Sequence, residues 1–112
     1  MSPLSLFSDS SRVIATQFEL DFTVGEESDD ERADAFRALL TARIVELLDG
    51  DTERLMHILY RVDVPESVVA RVFRDHPLAE IAPTLADLII ERQMEKARTR
   101  AAYRERRDTL LD

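Results

Sequence analysis

Apolar residues recur at steps of three and four along most of this chain, which is the spacing of side chains on one face of an α-helix. The clearest run begins at Phe36 and continues to Leu48. Ser28 and Glu31 precede it with the capping-box spacing that marks a helix start. Gly50 follows it, and we expect this glycine to end the helix in a left-handed cap. The pattern predicts a first helix between these signals.

Three further helices follow in the same pattern. The second has apolar positions from residue 55 to residue 62, and it starts so soon after the first that the two should form an antiparallel hairpin. A turn at residues 63–66 separates it from a third helix, whose buried face comes from residues 68–73. Pro83 suits the first turn of a long last helix, because the missing proline donor would be unpaired there anyway.

Residues 13–23 follow a different pattern, in which apolar and polar positions alternate. Ile14, Phe18 and Leu20 fall on one face, and a period of two indicates a half-buried strand. No second strand is evident, so this segment should pair with its copy in a second chain or lie extended in a helical groove. The sequence thus predicts an extended or disordered N-terminal arm, residues 1–27. Residues 28–112 are predicted to form an all-α, four-helix bundle-like domain with the helical hairpin first.

The predicted last helix changes character along its length. Residues 85–90 are apolar nearly all round, whereas residues 91–107 carry seven bases and three acids. The contrast is large because the chain has a net charge of −8, all of which arises in residues 1–54. A narrow seam of small residues, Ala97 and Ala101, continues along the basic part. The residues expected to contact a partner are Arg92, Lys96, Arg98, Arg100, Tyr103, Arg104, Arg106 and Arg107.

Residues that could carry out catalysis or hold a metal are scarce. The chain has no cysteine, which excludes thiolate nucleophiles and cysteine-based zinc sites, and its two glycines cannot form a glycine-rich phosphate loop. His57 has only Glu53 beside it at helical spacing, and His76 is expected to end a helix. The sequence therefore predicts no enzyme activity, no cofactor and no metal site. No apolar run approaches the ~18 residues that span a bilayer, so we expect a cytoplasmic protein without membrane contact.

Two DNA-binding templates match parts of the chain. Residues 13–62 follow the order of a ribbon-helix-helix protein, but the outward face of the strand would present Glu19 and Asp21, which phosphate repels. Residues 52–75 have the lengths of a helix-turn-helix motif. Its second helix exposes Arg71 and Arg74 together with acidic residues. The charge of this helix therefore gives only weak support for DNA binding.

A longer stretch resembles a known pattern. The run ERLMHILYRVDVPESVVARVF, followed by LADLIIERQMEKARTRAAY, covers residues 53–103 and resembles a family of short bacterial all-helical proteins. Its recurring elements are an ILYR-V-DV helix and turn, and a LIIERQ helix that becomes basic. The resemblance implies a discrete bacterial domain and implies no activity.

The function that these patterns favour is a non-enzymatic protein–protein interaction or accessory module. Its basic C-terminal helix would dock onto an acidic surface, which could be the N-terminal half of a second copy in a homodimer. Opposite charges would then set orientation and encounter rate more than affinity. The alternative is a nucleic-acid-associated regulator that acts through the helix-turn-helix-like residues 52–75 or the basic helix at residues 92–107.

Overall fold

The computed structural model describes the backbone of residues 3–21 and 29–111, and the side chains of residues 7–21 and 30–107. Every regular element in these ranges is an α-helix, which confirms the all-α class. In chain order the helices are α1 (Pro3–Phe18), α2 (Asp29–Gly50), α3 (Thr52–Arg61), α4 (Glu66–Asp75) and α5 (Leu78–Leu111).

The first helix corrects the prediction of an extended strand. Residues 13–18 are helical, and Ile14 and Phe18 are fully buried on one face of α1. The alternating pattern was misleading because residues four apart lie on the same face of a strand and also on the same face of a helix. Residues 22–28 lie outside the described part of the chain, so the predicted boundary between residues 27 and 28 stays a prediction.

The end of α1 explains why Leu20 also follows the alternating pattern. Glu19 adopts a left-handed backbone conformation, with φ of 56°. The N–H of Leu20 then donates to the carbonyl of Ala15 at 2.8 Å, as in a Schellman closure. This turn brings the Leu20 side chain back against the core, where it is half-buried. Arg54 holds the turn from α3 through an ion pair with Glu19 at 2.5 Å.

The break between α2 and α3 corrects the prediction for Gly50. This glycine is the last helical residue of α2, and no glycine in the described ranges has a positive φ. The chain turns instead at Asp51, whose φ is −155°. The Asp51 carboxylate accepts the N–H of Arg54 at 3.1 Å, which is the bond of a helix N-cap. The left-handed cap was therefore not needed, because Asp51 can start α3 directly.

Helices α1 and α2 run in the same direction. The ring of Phe7 meets the ring of Phe36 edge to face, with centroids 5.9 Å apart. Further along both helices, Arg43 Nε donates to the carbonyl oxygen of Phe18 at 3.1 Å. That carbonyl lies at the end of α1, where helical donors run out. Arg43 thus supplies a donor that α1 cannot provide for itself.

Helix α5 runs antiparallel to α2 and forms the spine of the molecule. Arg37 and Asp87 pair at 2.5 Å, while Leu48 near the end of α2 lines a cleft with Leu78 at the start of α5. The 34 residues of α5 should span ~51 Å, and the longest dimension of the protein is 52 Å. The buried core forms between the spine and the helices that cover it, and α5 itself contributes to it. Its residues are Ile14, Phe18, Phe36, Leu40, Ile44, Leu47, Leu55, Ile58, Leu59, Val62, Val64, Val69, Val72, Ile81, Ala82, Leu85, Ala86 and Ile89.

Pro83 lies inside α5, because the helix begins at Leu78 and not at the proline as the sequence indicated. A proline has no N–H, so it cannot donate to the carbonyl four residues earlier in the helix. That carbonyl belongs to Ala79, which is exposed. The helix can therefore include Pro83 without enclosing an unpaired acceptor.

The corner between α3 and α4 is fastened to α5 by a buried hydrogen bond. Asp63 adopts a left-handed conformation with φ of 62°, and the N–H of Val64 donates to the carbonyl of Leu59 at 3.0 Å. Gln93 of α5, only 2% exposed, donates through Nε2 to the carbonyl of Val62 at 2.9 Å. This bond joins the VDV and LIIERQ elements of the sequence pattern described above.

The substitution Gly50→Ala should raise the free energy of unfolding by ~0.5–1 kcal/mol, because helical glycine is less favourable than alanine by about that amount. Gly50 is exposed, and an added Cβ would meet no heavy atom within 4 Å. Urea titration of both proteins measures the change. A left-handed Gly50 would give the opposite sign, so a loss of stability would contradict the helical assignment.

The substitution Gln93→Met should lower the free energy of unfolding by ~1–2 kcal/mol, because the volume is kept while the buried Val62 carbonyl loses its donor. Glu91→Met is the matched control, since Glu91 is an exposed residue of the same helix. The control should change stability by less than ~0.5 kcal/mol. Equal losses in the two variants, measured by urea titration, would exclude a special role for the Gln93 bond.

Candidate interaction surface

Helix α5 leaves the core later than the sequence indicated. Gln93 and Ala97 are buried and Ala101 is half-buried, although all three lie in the basic part of the helix that is expected to face a partner. The small-residue seam is therefore used by the protein itself as far as Ala97. From residue 98 to residue 107 the helix is exposed except at Ala101, and we call residues 98–107 the basic segment.

Two of the eight predicted interaction residues already have partners within the chain. Arg92 pairs with Glu95 at 3.5 Å. Lys96 is half-buried and pairs with Asp63 at the corner between α3 and α4. Lys96 helps to hold α5 on the domain, whereas Arg92 is paired within α5 itself. We therefore count neither cation among the residues free to contact a partner.

The other six predicted residues all lie in the basic segment. The five arginines are exposed, and none has an ion pair or hydrogen bond within the described ranges; they are Arg98, Arg100, Arg104, Arg106 and Arg107. Tyr103 is 67% exposed. The structure therefore collects six of the eight predicted residues on about three turns of one unpacked helix.

The positions of these residues around the helix follow from its geometry. Steps of three and four residues place Arg100, Tyr103 and Arg107 on one face, with the aromatic ring between two guanidinium groups. Arg104 continues the line of Ala97 and Ala101, and the remaining arginines point elsewhere. The basic segment thus offers positive charge in several directions and one apolar anchor.

A second surface, which sequence reasoning did not find, lies at the other end of α5. The α2–α5 cleft has a volume of about 370 Å³ and is lined by Val45, Leu48, Asp49, Leu78, Ala79 and Ala82. Val45 is 52% exposed and Leu78 is 79% exposed. Large apolar side chains in such contact with water are a common sign of an interaction surface when they lie together.

The signal for this cleft was present in α2. Leu39 lies within the apolar run from Phe36 to Leu48, yet it is among the exposed apolar residues. Ala38, Ala42 and Val45 are exposed on the same side of α2, opposite the buried Phe36 and Leu40. A helix with apolar residues on two faces is stabilised when both faces pack against other parts of the protein or a partner. The apolar residues of α2 fall on two faces of the helix and not on one, and the second face indicates the second surface.

The helix-turn-helix interpretation gains little from the structure. Helices α3 and α4 occupy the expected ranges, but the exposed face of α4 carries Glu66 and Asp75 as well as two arginines. Arg74 is paired with Asp75 at 3.1 Å. Only Arg71 remains as an unpaired cation on this helix within the described part of the chain.

Candidate metal and catalytic groups do not gather in the described residues. No group of three or more histidine, aspartate or glutamate side chains has a geometry that could hold a metal ion there. His57 is exposed on α3, and His76 Nδ1 lies 3.2 Å from the carbonyl of Val72 at the end of α4. The part of the chain that is described also contains no helix with the length and apolar composition needed to cross a membrane.

Ion pairs on the spine shift the pKa values of Asp63 and Arg37. The hydrogen bond from Lys96 lowers the pKa of the Asp63 carboxyl below its ordinary value, and the charges of Lys96 and Arg92 act in the same direction against partial desolvation. The bond to Asp87 raises the pKa of the Arg37 guanidinium, with a smaller contribution from the charge of Asp34. Both pairs connect α5 to the rest of the domain.

The substitution Asp63→Asn should lower the free energy of unfolding at pH 7 by less than ~1 kcal/mol, because the ion pair is largely exposed. Asparagine tolerates the left-handed backbone that residue 63 adopts. Since folding lowers the pKa of Asp63, its contribution is present above the ordinary pKa and is lost as the pH falls through the lowered value. Urea titrations at neutral and acidic pH should show the two proteins converging in acid. Divergence in acid would contradict this assignment.

Comparison with protein-family models, with curated proteins and with solved structures finds no match to this chain. The resemblance of residues 53–103 to short bacterial helical proteins therefore rests on the quoted residues alone.

Proposed function

We propose that this chain is a non-enzymatic protein–protein interaction module whose basic segment binds an acidic surface of a partner. The observation that supports this function is the set of five exposed arginines in residues 98–107, which have no ion pair within the described ranges. They stand on a helix that has already left its own core. Arginine binds carboxylates as a planar fork, so an acidic protein surface suits this array.

The charge of the whole chain favours a protein partner over nucleic acid. The net charge is −8, and a nucleic acid would extend past the basic segment toward acidic parts of the molecule. A protein partner can limit its acidic patch to the size of the segment. Tyr103 adds an aromatic side chain of the kind that anchors protein interfaces.

A matched pair of triple variants tests the proposal. The test variant neutralises three arginines of the basic segment, and the control neutralises three exposed arginines of α3 and α4, so the net charge changes equally. The test substitutions are Arg100→Gln, Arg104→Gln and Arg107→Gln. The control substitutions are Arg61→Gln, Arg71→Gln and Arg74→Gln.

Full-length wild type, test and control proteins serve as bait for quantitative pull-down from cells of the native host, and affinities for the recovered acidic partner are then measured. We expect the test variant to bind on the order of 10-fold more weakly at ~0.1 M salt, with a reduced dependence on salt, while the control stays near wild type. Equal behaviour of the two variants would refute the proposal. Tight binding of duplex DNA or RNA by wild type, lost in the test variant, would favour the nucleic-acid alternative instead.

A further inference from the structure

The α2–α5 cleft carries features of a receptor for an aromatic side chain. Val45 and Leu78 both line it and are both well exposed, so apolar surface is concentrated at one place. Pro83 leaves the carbonyl of Ala79 without its usual helical donor, and Ala79 also lines the cleft. The cleft thus combines an apolar lining with a backbone carbonyl that lacks its usual i+4 helical donor.

The charged side chain that lines this cleft is acidic. Asp49 lines it and has no ion pair within the described part of the chain, and no basic side chain is among the lining residues. Glu46 lies one turn earlier on α2, where it is ion-paired with Arg43 at 3.0 Å while its side chain remains 67% exposed. An occupant with positive charge beside an apolar anchor would therefore fit, and an acidic occupant would be repelled.

The basic segment has the complementary arrangement. Tyr103 is flanked by Arg100 and Arg107 on one face of α5, so an apolar ring with a hydroxyl donor lies between two cations. The ring matches the apolar lining, and the guanidinium groups match the carboxylate of Asp49. The apolar surface and the charge of the cleft thus each have a counterpart on this face.

The chain cannot satisfy this match with its own residues. Leu78 and Tyr103 lie on the same continuous helix, 25 residues apart in sequence, which corresponds to ~37 Å along the axis. A helix does not fold back on itself over that distance. The basic segment that enters a given cleft must therefore come from another molecule.

We propose that the basic segment of one copy docks into the α2–α5 cleft of a second copy, with Tyr103 as the anchor and with Arg100 and Arg107 placed to meet Asp49. The inference rests on the proposed function of the basic segment, and it identifies the acidic surface as part of the same protein. The contact joins two different surfaces, so it closes as a dimer if reciprocal and otherwise extends to a third copy.

Sedimentation equilibrium of the full chain tests this contact with single substitutions at exposed positions. Tyr103→Ala and Leu78→Gln should each weaken self-association by ~10-fold or more, because each removes one side of the anchor. Tyr60→Ala is the matched control, since Tyr60 is 82% exposed and lies in a different cleft with His57 and Glu66. The wild-type average mass should exceed that of a monomer and should fall between ~0.05 M and ~1 M salt.

A charge exchange gives an independent readout. Asp49→Arg alone and the double variant Arg100→Glu with Arg107→Glu should each associate more weakly than wild type. Mixing the two should restore a mixed species, because the acidic segment of one then meets the basic cleft of the other. Folding of every variant is checked by its urea midpoint.

Three results would overturn the inference. They are a wild-type mass equal to that of a monomer at ~100 µM and low salt, equal effects of Tyr103→Ala and Tyr60→Ala, and no mixed species in the charge exchange. Failure of this inference is distinguishable from failure of the proposed function. A monomer that still loses a host partner on neutralisation of Arg100, Arg104 and Arg107 would leave the proposed function standing.

Discussion

The burial of one face of α5 is the interaction on which the rest of this structure depends. Ile81, Leu85 and Ile89 are at most 4% exposed, and α1, α2 and α4 all pack against the helix that carries them. The covering helices are much shorter than α5, whose 34 residues exceed the 22 of α2. The spine therefore extends beyond the helices that pack against it, and the part beyond Ala97 is helical with little packing. Arginine and alanine make up seven of the ten residues from 98 to 107, and these residue types favour a helix without tertiary support.

Local signals made α2, α3 and α4 predictable from the sequence. Their apolar spacing, the short break at Gly50 and Asp51, and the turn at Pro65 all act within a few residues of each other. Helix α1 was missed because Ile14 and Phe18 satisfy a strand and a helix equally well. The difference was decided by α5, which offers a helical partner to α1 and no strand to pair with. Tertiary packing, which a single segment does not encode, overrode the local pattern.

The sequence could predict which residues belong to the candidate site, but not which of them are paired within the chain. The sequence identified the cations of α5, but it could not separate Lys96 from Arg100. Their difference arises from Asp63, which is 33 residues from Lys96 and is brought into reach by the left-handed turn after α3. The cleft was beyond sequence reasoning for a similar reason. Val45 and Leu78 belong to different helices, and only the antiparallel packing of α2 on α5 places them together.

The two surfaces on α5 also bear on how far assembly could proceed. A contact between a segment and a cleft is heterologous, so nothing in the contact itself limits the number of copies. The net charge of −8 per chain opposes growth, because each added copy brings more like charge to the assembly. In the proposed contact the docking pairs act at short range, whereas the repulsion between copies acts at longer range and is screened first as salt rises. The proposed contact therefore implies a small closed assembly at low salt. Moderate salt relaxes the repulsion before high salt weakens the pairs, so intermediate salt is the condition in which larger assemblies are most favoured.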